Sequence, residues 1–277
     1  MVLKAHLHWC TPEVREALLR FLPDKERQYL ANLPNAQEDN LPEEISVLQG
    51  IEKVHWSWFL PTIKAFSERE QRLFLAVLEP YAAEQIKTLL SLQGPVEEIT
   101  ETAKAFLREQ LVCSLVPTRE GILPVNYLPP SPLNHLLSLS KKQLIHLIDS
   151  LALYDLAQEV RQIVETKILK KLYSLLSEEQ KYLLKHITPH REFNVLPKLG
   201  IDKWDGTEES LKIIIHRRGI ARLGLALAGQ NMDLIWMLCH QLDIGRGGTL
   251  FRLCEKEKRS SAADTVQRQI EELLSLL

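Results

Sequence analysis

The chain has 277 residues, of which 45% are hydrophobic and 25% charged, with a formal net charge of −2. That is globular rather than disordered composition, long enough for one large or two medium domains, and the lack of a basic excess disfavours a dedicated nucleic-acid binder. With only 11 glycines and abundant Leu, Glu, Lys and Gln, it favours helix over sheet. No apolar run reaches the roughly 18 residues of a membrane span. The four cysteines, Cys10, Cys113, Cys239 and Cys254, form no C-x-x-C pair, which excludes a zinc knuckle or thioredoxin-like motif. Together with an N-terminus lacking a secretory leader pattern, they predict free, buried thiols in a reducing cytosol.

In chain order, residues 11 to 34 read as one or two short helices. Thr11 stands at the N-cap, Pro12 at the first helical position, and Val14, Ala17, Leu18 and Phe21 on one face. Residues 34 to 44 are polar, acidic and bounded by prolines, as in an exposed loop. From 45 to 93 a compact helical unit follows, with Trp56, Trp58, Phe59 and Leu60 ahead of Pro61. Ser67 and Glu70 have capping-box spacing, in which the hydroxyl takes the N3 amide and the carboxylate reaches back. Gly94-Pro95 breaks the chain, and a helix is predicted from about 96 to 115.

Residues 117 to 132 hold five prolines and cannot form a regular helix. They divide an N-terminal helical region (1–116) from a C-terminal one (133–277). Ile122, Leu123, Val125, Tyr127 and Leu128 are nevertheless apolar enough to pack on the helices, which would leave one continuous body. Beyond, a short turn at 133–137 leads to a second capping box at Ser140 and Gln143, with a stripe of Leu144, Leu147, Ile148 and Leu151. Residues 152 to 175 read as a long helix, and Ser177 with Gln180 opens a third box. A looser start of the same kind lies at Asp24. Residues 188–208 look irregular, and a helix begins near Thr207, with cap spacing to Ser210. Another helix runs through Trp236 to Leu242, and Ser261 caps a last amphipathic one. No alternation is long enough for a sheet, so the predicted fold is all-α, an irregular array of short capped helices.

Candidate sites are few. His6, His8 and Cys10 alternate and would share one face of a strand, but no second ligand pair follows at a metal-site spacing. Gly245-Arg246-Gly247-Gly248-Thr249 lacks the lysine of a phosphate loop and follows a helix, so it reads as a left-handed turn between helices. Arg217, Arg218 and Arg222, with Lys212 one turn away, form a basic patch that could hold an acidic partner or the chain's own 38–44 loop. Arg246 is a further candidate partner contact. The small-residue run Leu223 to Gly229 predicts close helix packing. The tryptophans Trp56, Trp58 and Trp236 are assigned to the core. No Ser/His/Asp, Cys/His or paired-carboxylate set stands out, and no cofactor or metal is expected.

The segments Leu139-Ser140-Lys141-Lys142-Gln143-Leu144, Leu176-Ser177-Glu178-Glu179-Gln180 and Ala226-Leu227-Ala228-Gly229-Gln230 resemble the FliG family of flagellar rotor proteins. Size, helical content and near-neutral charge also make the chain similar to the SctK family, helical cytosolic accessory proteins of the type III secretion sorting platform. The Glu-His-Pro-Gln signature of the FliG middle domain is absent, and no FliG interaction residue carries over. The resemblance implies a non-enzymatic cytoplasmic adaptor, peripheral to the inner membrane through a protein partner, that links an inner-membrane ring protein to a pod protein. Two other readings stand beside it: a general helical scaffold unrelated to secretion, and a helical ligand-binding domain using residues 217–249.

Overall fold

A computed structural model describes Leu7 and residues 10–32, 53–116, 122–123, 125–187, 196–256 and 261–276. Every regular element among these residues is helical, as the composition and periodicity predict. In chain order the α-helices are α1 (Pro12–Arg20), α2 (Asp24–Asn32), α3 (Leu60–Lys64), α4 (Glu68–Leu75), α5 (Pro80–Leu89), α6 (Glu101–Leu115), α7 (Lys141–Val160), α8 (Thr166–Leu175), α9 (Glu178–Ile187), α10 (Glu208–Leu227), α11 (Met232–Gln241), α12 (Ile244–Lys256) and α13 (Ser261–Leu276). Short 3₁₀ turns occupy Trp56–Trp58, Val125–Tyr127, Pro132–Ser138 and Ile201–Lys203. None of the described helices is long and apolar enough to cross a membrane.

The three Ser-led starts form as predicted. Ser67 donates its backbone N–H (2.9 Å) and its hydroxyl (2.6 Å) to Glu70. At Ser140 the exchange is reciprocal, with the Gln143 amide donating to Oγ at 3.3 Å and the Ser140 amide donating to the Gln143 side chain at 2.9 Å. Ser177 and Gln180 repeat it at 3.1 and 3.0 Å. Asp24 differs, because it is the first helical residue of α2 and the Pro23 carbonyl accepts the first amides.

Two hydrophobic cores result. The larger runs from Leu128 to Leu273 and is built on α7 and α10. Both helices are buried on all sides over part of their length: residues 150–157 of α7 and 222–227 of α10 are buried without interruption, so neighbours must wrap them completely. Helices α9 and α13 cover α7. Helices α12 and α13 cover α10, and α11 pairs with α12. The pairs Asp149–His216 and Asp155–Arg222 have the same sequence offset of 67. That constant offset means α7 and α10 run parallel and in register, with α8 and α9 making the return. The smaller core, Phe59, Ile63, Phe74, Leu75, Val77, Ala83, Ile86, Leu92 and Leu111, belongs to α3–α6. Val54 and Leu115 pack against both cores. Ile122, Leu123 and Leu128 of the proline-rich stretch also lie on the larger one.

Three expectations change. The long helix over 152–175 is two helices, because α7 continues without a break to Val160 and the chain then turns through 161–165. The Gln162 amide closes α7 onto the Glu159 carbonyl at 2.8 Å, and the Glu159 carboxylate accepts the amides of Leu199, Gly200 (3.2 Å) and Ile201 (3.0 Å). The helix before Val116 starts later than position 96, capped by Thr100, whose hydroxyl accepts the Ala103 amide at 3.3 Å. Residues 245–248 are not a left-handed turn: they lie in the first turns of α12, and the positive-φ glycines among the described residues are Gly94, Gly200, Gly206 and Gly229.

Candidate functional site

Two clusters of polar side chains join elements together. The first lies inside the bundle. Arg222 is 1% exposed, yet its Nη1 donates to Asp155 Oδ1 at 2.6 Å and its Nη2 to Gln269. Arg218, one turn earlier, brings Nε within 3.5 Å of Asp155 Oδ2, and the Arg222 guanidinium lies 5.4 Å from the centre of the Tyr154 ring. Tyr154 donates its hydroxyl to Glu272 at 2.8 Å, and Gln267 donates to the Ala226 carbonyl at 2.7 Å. Helices α7, α10 and α13 are thus tied by buried polar contacts. Burial pushes the Asp155 carboxyl up from its ordinary range, against the pull of Arg222 and Arg218.

The second lies where residues 53–59 cross the α11–α12 corner. The His55 amide donates to the His240 carbonyl at 2.7 Å, the Trp58 indole to the Leu242 carbonyl at 2.9 Å, and the Ile244 amide to Ser57 Oγ at 2.9 Å. Lys53 Nζ donates to the Leu137 carbonyl at 2.6 Å. The His240 ring sits between two indoles, with centroids 4.0 Å from Trp58 and 3.9 Å from Trp236, and its Nδ1 donates to the Trp236 carbonyl at 2.8 Å. A Cβ at Gly247 would lie 2.1 Å from the Cys239 carbonyl oxygen and 2.7 Å from the Trp58 ring, so this corner closes only around a glycine. Beside it, His216 bridges three helices. Arg246 Nε donates to His216 Nε2 at 2.8 Å, which places the ring proton on Nδ1, 2.7 Å from Asp149 Oδ1. Arg246 also pairs with Asp243 in the turn.

The four candidate arginines therefore do not form one patch. Arg217 alone is an exposed residue. Arg218 and Arg222 point to Asp155, and burial of Arg222 corrects its assignment as a surface partner contact. Arg246 is half-exposed but engaged by Asp243 and His216. Lys212 pairs with Glu208 on its own helix at 2.6 Å. The acidic 38–44 loop, His6 and His8 lie outside the described residues, among which no group of three or more His, Cys, Asp or Glu could hold a metal. Two cysteines match the expectation of buried thiols: burial pushes Cys254 up to about 12 and Cys239 further in the same direction. Cys10 is half-buried and Cys113 exposed, which corrects the uniform expectation.

The small-residue run of α10 does permit close packing. A Cβ on Gly224 would lie 2.7 Å from Cβ of Leu253 on α12. Just upstream, a Cβ on Gly219 would lie 1.8 Å from the Ile148 carbonyl oxygen on α7. Trp236 is buried in the larger core and Trp56 packs half-buried on the smaller one, as the core assignment has it, whereas Trp58 is half-buried at the joint with His240. Sequence reasoning missed Asp149, Asp155, His216 and His240. One signal was available: Asp155 is the only acid in the apolar run Leu151-Ala152-Leu153-Tyr154-Asp155-Leu156-Ala157, and an acid so placed needs a buried cation.

No protein-family model matches the chain, and neither the curated proteins nor the solved structures contain a match.

Proposed function

We propose that this chain is a non-enzymatic adaptor that holds protein partners together, of the kind its resemblance to the SctK family suggests: a cytoplasmic link between an inner-membrane ring protein and a pod protein of a secretion apparatus. The observation that carries the reading is where the aromatic side chains remain exposed. Phe21 (87%), Tyr29 (69%), Tyr81 (69%), Phe106 (60%) and Phe66 (40%) all lie in or beside the N-terminal helices, whereas Tyr182 is the only exposed aromatic in the bundle among the described residues. Exposed aromatic side chains grouped on one part of a molecule mark protein-contact surfaces. The bundle is in this reading the platform, and the helices before Leu115 the contact side.

The ligand-binding alternative loses support from the same geometry. Of the arginines in 217–249, Arg218 and Arg222 are turned inward to Asp155, and Arg246 is held by Asp243 and His216. Affinity purification from the native host tests the proposal. Co-purification of ring or pod components, lost on F21S/Y81S substitution, is the expected result. Recovery of metabolic enzymes alone would contradict it. The general-scaffold reading predicts partners outside a secretion or rotor apparatus, with the same sensitivity to F21S/Y81S.

A further inference from the structure

The two cores meet through a narrow joint. Close helix-to-helix packing occurs within α7–α13 or within the 56–89 elements, and the pairs that pack most extensively do not cross from one set to the other. Between them, Val54 and Leu115 touch both cores, Lys53 reaches the Leu137 carbonyl, and the 53–59 segment lies on the 240–244 corner with three hydrogen bonds and the Trp58–His240–Trp236 stack described above. We infer that this joint is an acid-releasable clasp: protonation of His240, assisted by His55, frees the 53–115 unit from the bundle while the bundle stays folded. This does not depend on who the partners are.

The chemistry follows from the surroundings of each ring. His240 already uses its Nδ1 proton on the Trp236 carbonyl, so a second proton must go to Nε2. Its neighbours are two indoles, and no charged side chain contributes to its shift; burial alone outweighs the carbonyl and holds its pKa down, from 6.5 to about 4. The indole faces would attract an imidazolium, but that attraction is smaller than the cost of burying the charge here. His55 is also lowered to about 4, first by burial and then by Lys141 at the start of α7 and Arg246 on α12, with Asp243 in the turn pulling the other way. Its Nδ1 accepts both the hydroxyl (2.8 Å) and the amide (3.3 Å) of Ser57, and the same hydroxyl oxygen accepts the Ile244 amide. A proton on His55 Nδ1 removes that acceptor and disturbs the Ile244 contact.

The sign is fixed by which state binds the proton more tightly. With the clasp closed the rings resist protonation; once open they titrate at their ordinary value. The closed state is therefore fully favoured above pH 6.5 and loses ground as pH falls toward 4. From the His240 shift alone, the opening equilibrium rises about twentyfold between pH 7 and pH 5. Hydrogen–deuterium exchange at pH 7.5 and 5, corrected for intrinsic rates, reads this directly. Protection of the His55 and Ile244 amides, which donate across the joint, should fall at least about tenfold while α7 and α10 keep theirs; H240F, which keeps a stacking ring but cannot titrate, should lose less, and H55N/H240F, in which neither position titrates, less than about threefold. Equal loss in α7 and the joint, or an H55N/H240F profile like that of the unmodified chain, would overturn the inference. Small-angle scattering of the unmodified chain is the second test, in case H240F does not fold. The radius of gyration should rise by pH 5 with unchanged far-UV circular dichroism, and a radius constant until helix content is lost would contradict the clasp.

Discussion

The bundle and the N-terminal unit use the same helix-start chemistry but bury their side chains very differently. In the bundle, α7 and α10 are each wrapped on all sides over a central stretch, where Asp155, Arg222 and Gln269 pair with one another, and Asp149, His216 and Arg246 pair at its half-buried margin. In α3–α6 the core is small, and large apolar side chains such as Tyr81 and Phe106 face solvent. Helices α1 and α2 bury no residue among those described. The capping boxes start helices in both regions, so local chemistry does not set the difference. It comes from how much apolar surface each helix can cover, which governs the free energy of local opening.

Substitutions that remove a partner from inside the bundle should separate the two regions most. R222A leaves buried Asp155 with the longer Arg218 contact in place of its 2.6 Å partner, and stability measured by urea unfolding should fall by about 3–5 kcal/mol. Replacing the three charges together, as D155L/R218M/R222M, should recover most of that loss, because an apolar set leaves no charge of this cluster buried. Next comes G219A. A methyl group there meets the Ile148 carbonyl rather than a flexible side chain, so α7 and α10 must separate, at a cost of about 1–3 kcal/mol or more, visible as a lower thermal midpoint. The smallest effect is a matched pair, S140A and S67A. Each removes a capping hydroxyl and should cost about 1 kcal/mol locally. S140A should lower the stability of the whole bundle, whereas S67A should raise exchange only within α4 and its neighbours. If S67A destabilised α7 and α10 as much as S140A does, the distinction between the regions would fail.

Much of this architecture was legible in the sequence because its signals are local. Ser67, Ser140 and Ser177 each announce a helix with residues three positions away, and the apolar spacing of α7 and α13 supplies the helical period. The break after Val160 was not legible: residues 161–165 contain neither glycine nor proline, and the carboxylate of Glu159 is drawn to amides some forty residues ahead. The glycines of 245–248 misled for a related reason. Gly247 among them lets Cys239 and Trp58 approach the α12 backbone, a tertiary demand that looks in sequence like a turn. The arginine patch dissolved likewise. Positions 218 and 222 lie one turn apart and share a face, but only the fold shows that this face is turned toward Asp155 on α7. The exposure of Phe21 was equally hidden, since a Phe at helical spacing reads as core until its neighbours are known.

The claim beneath the account is that a well-buried bundle carries a less stable N-terminal unit on a narrow joint. Native-state hydrogen exchange at pH 7.5 over a series of low urea concentrations tests it most directly. The account predicts that amides of α7 and α10 exchange only through global unfolding, while those of α3–α6 exchange through an opening of lower free energy and smaller denaturant dependence. A single opening, with α3–α6 and α7–α10 sharing one free energy and one denaturant dependence, would contradict it.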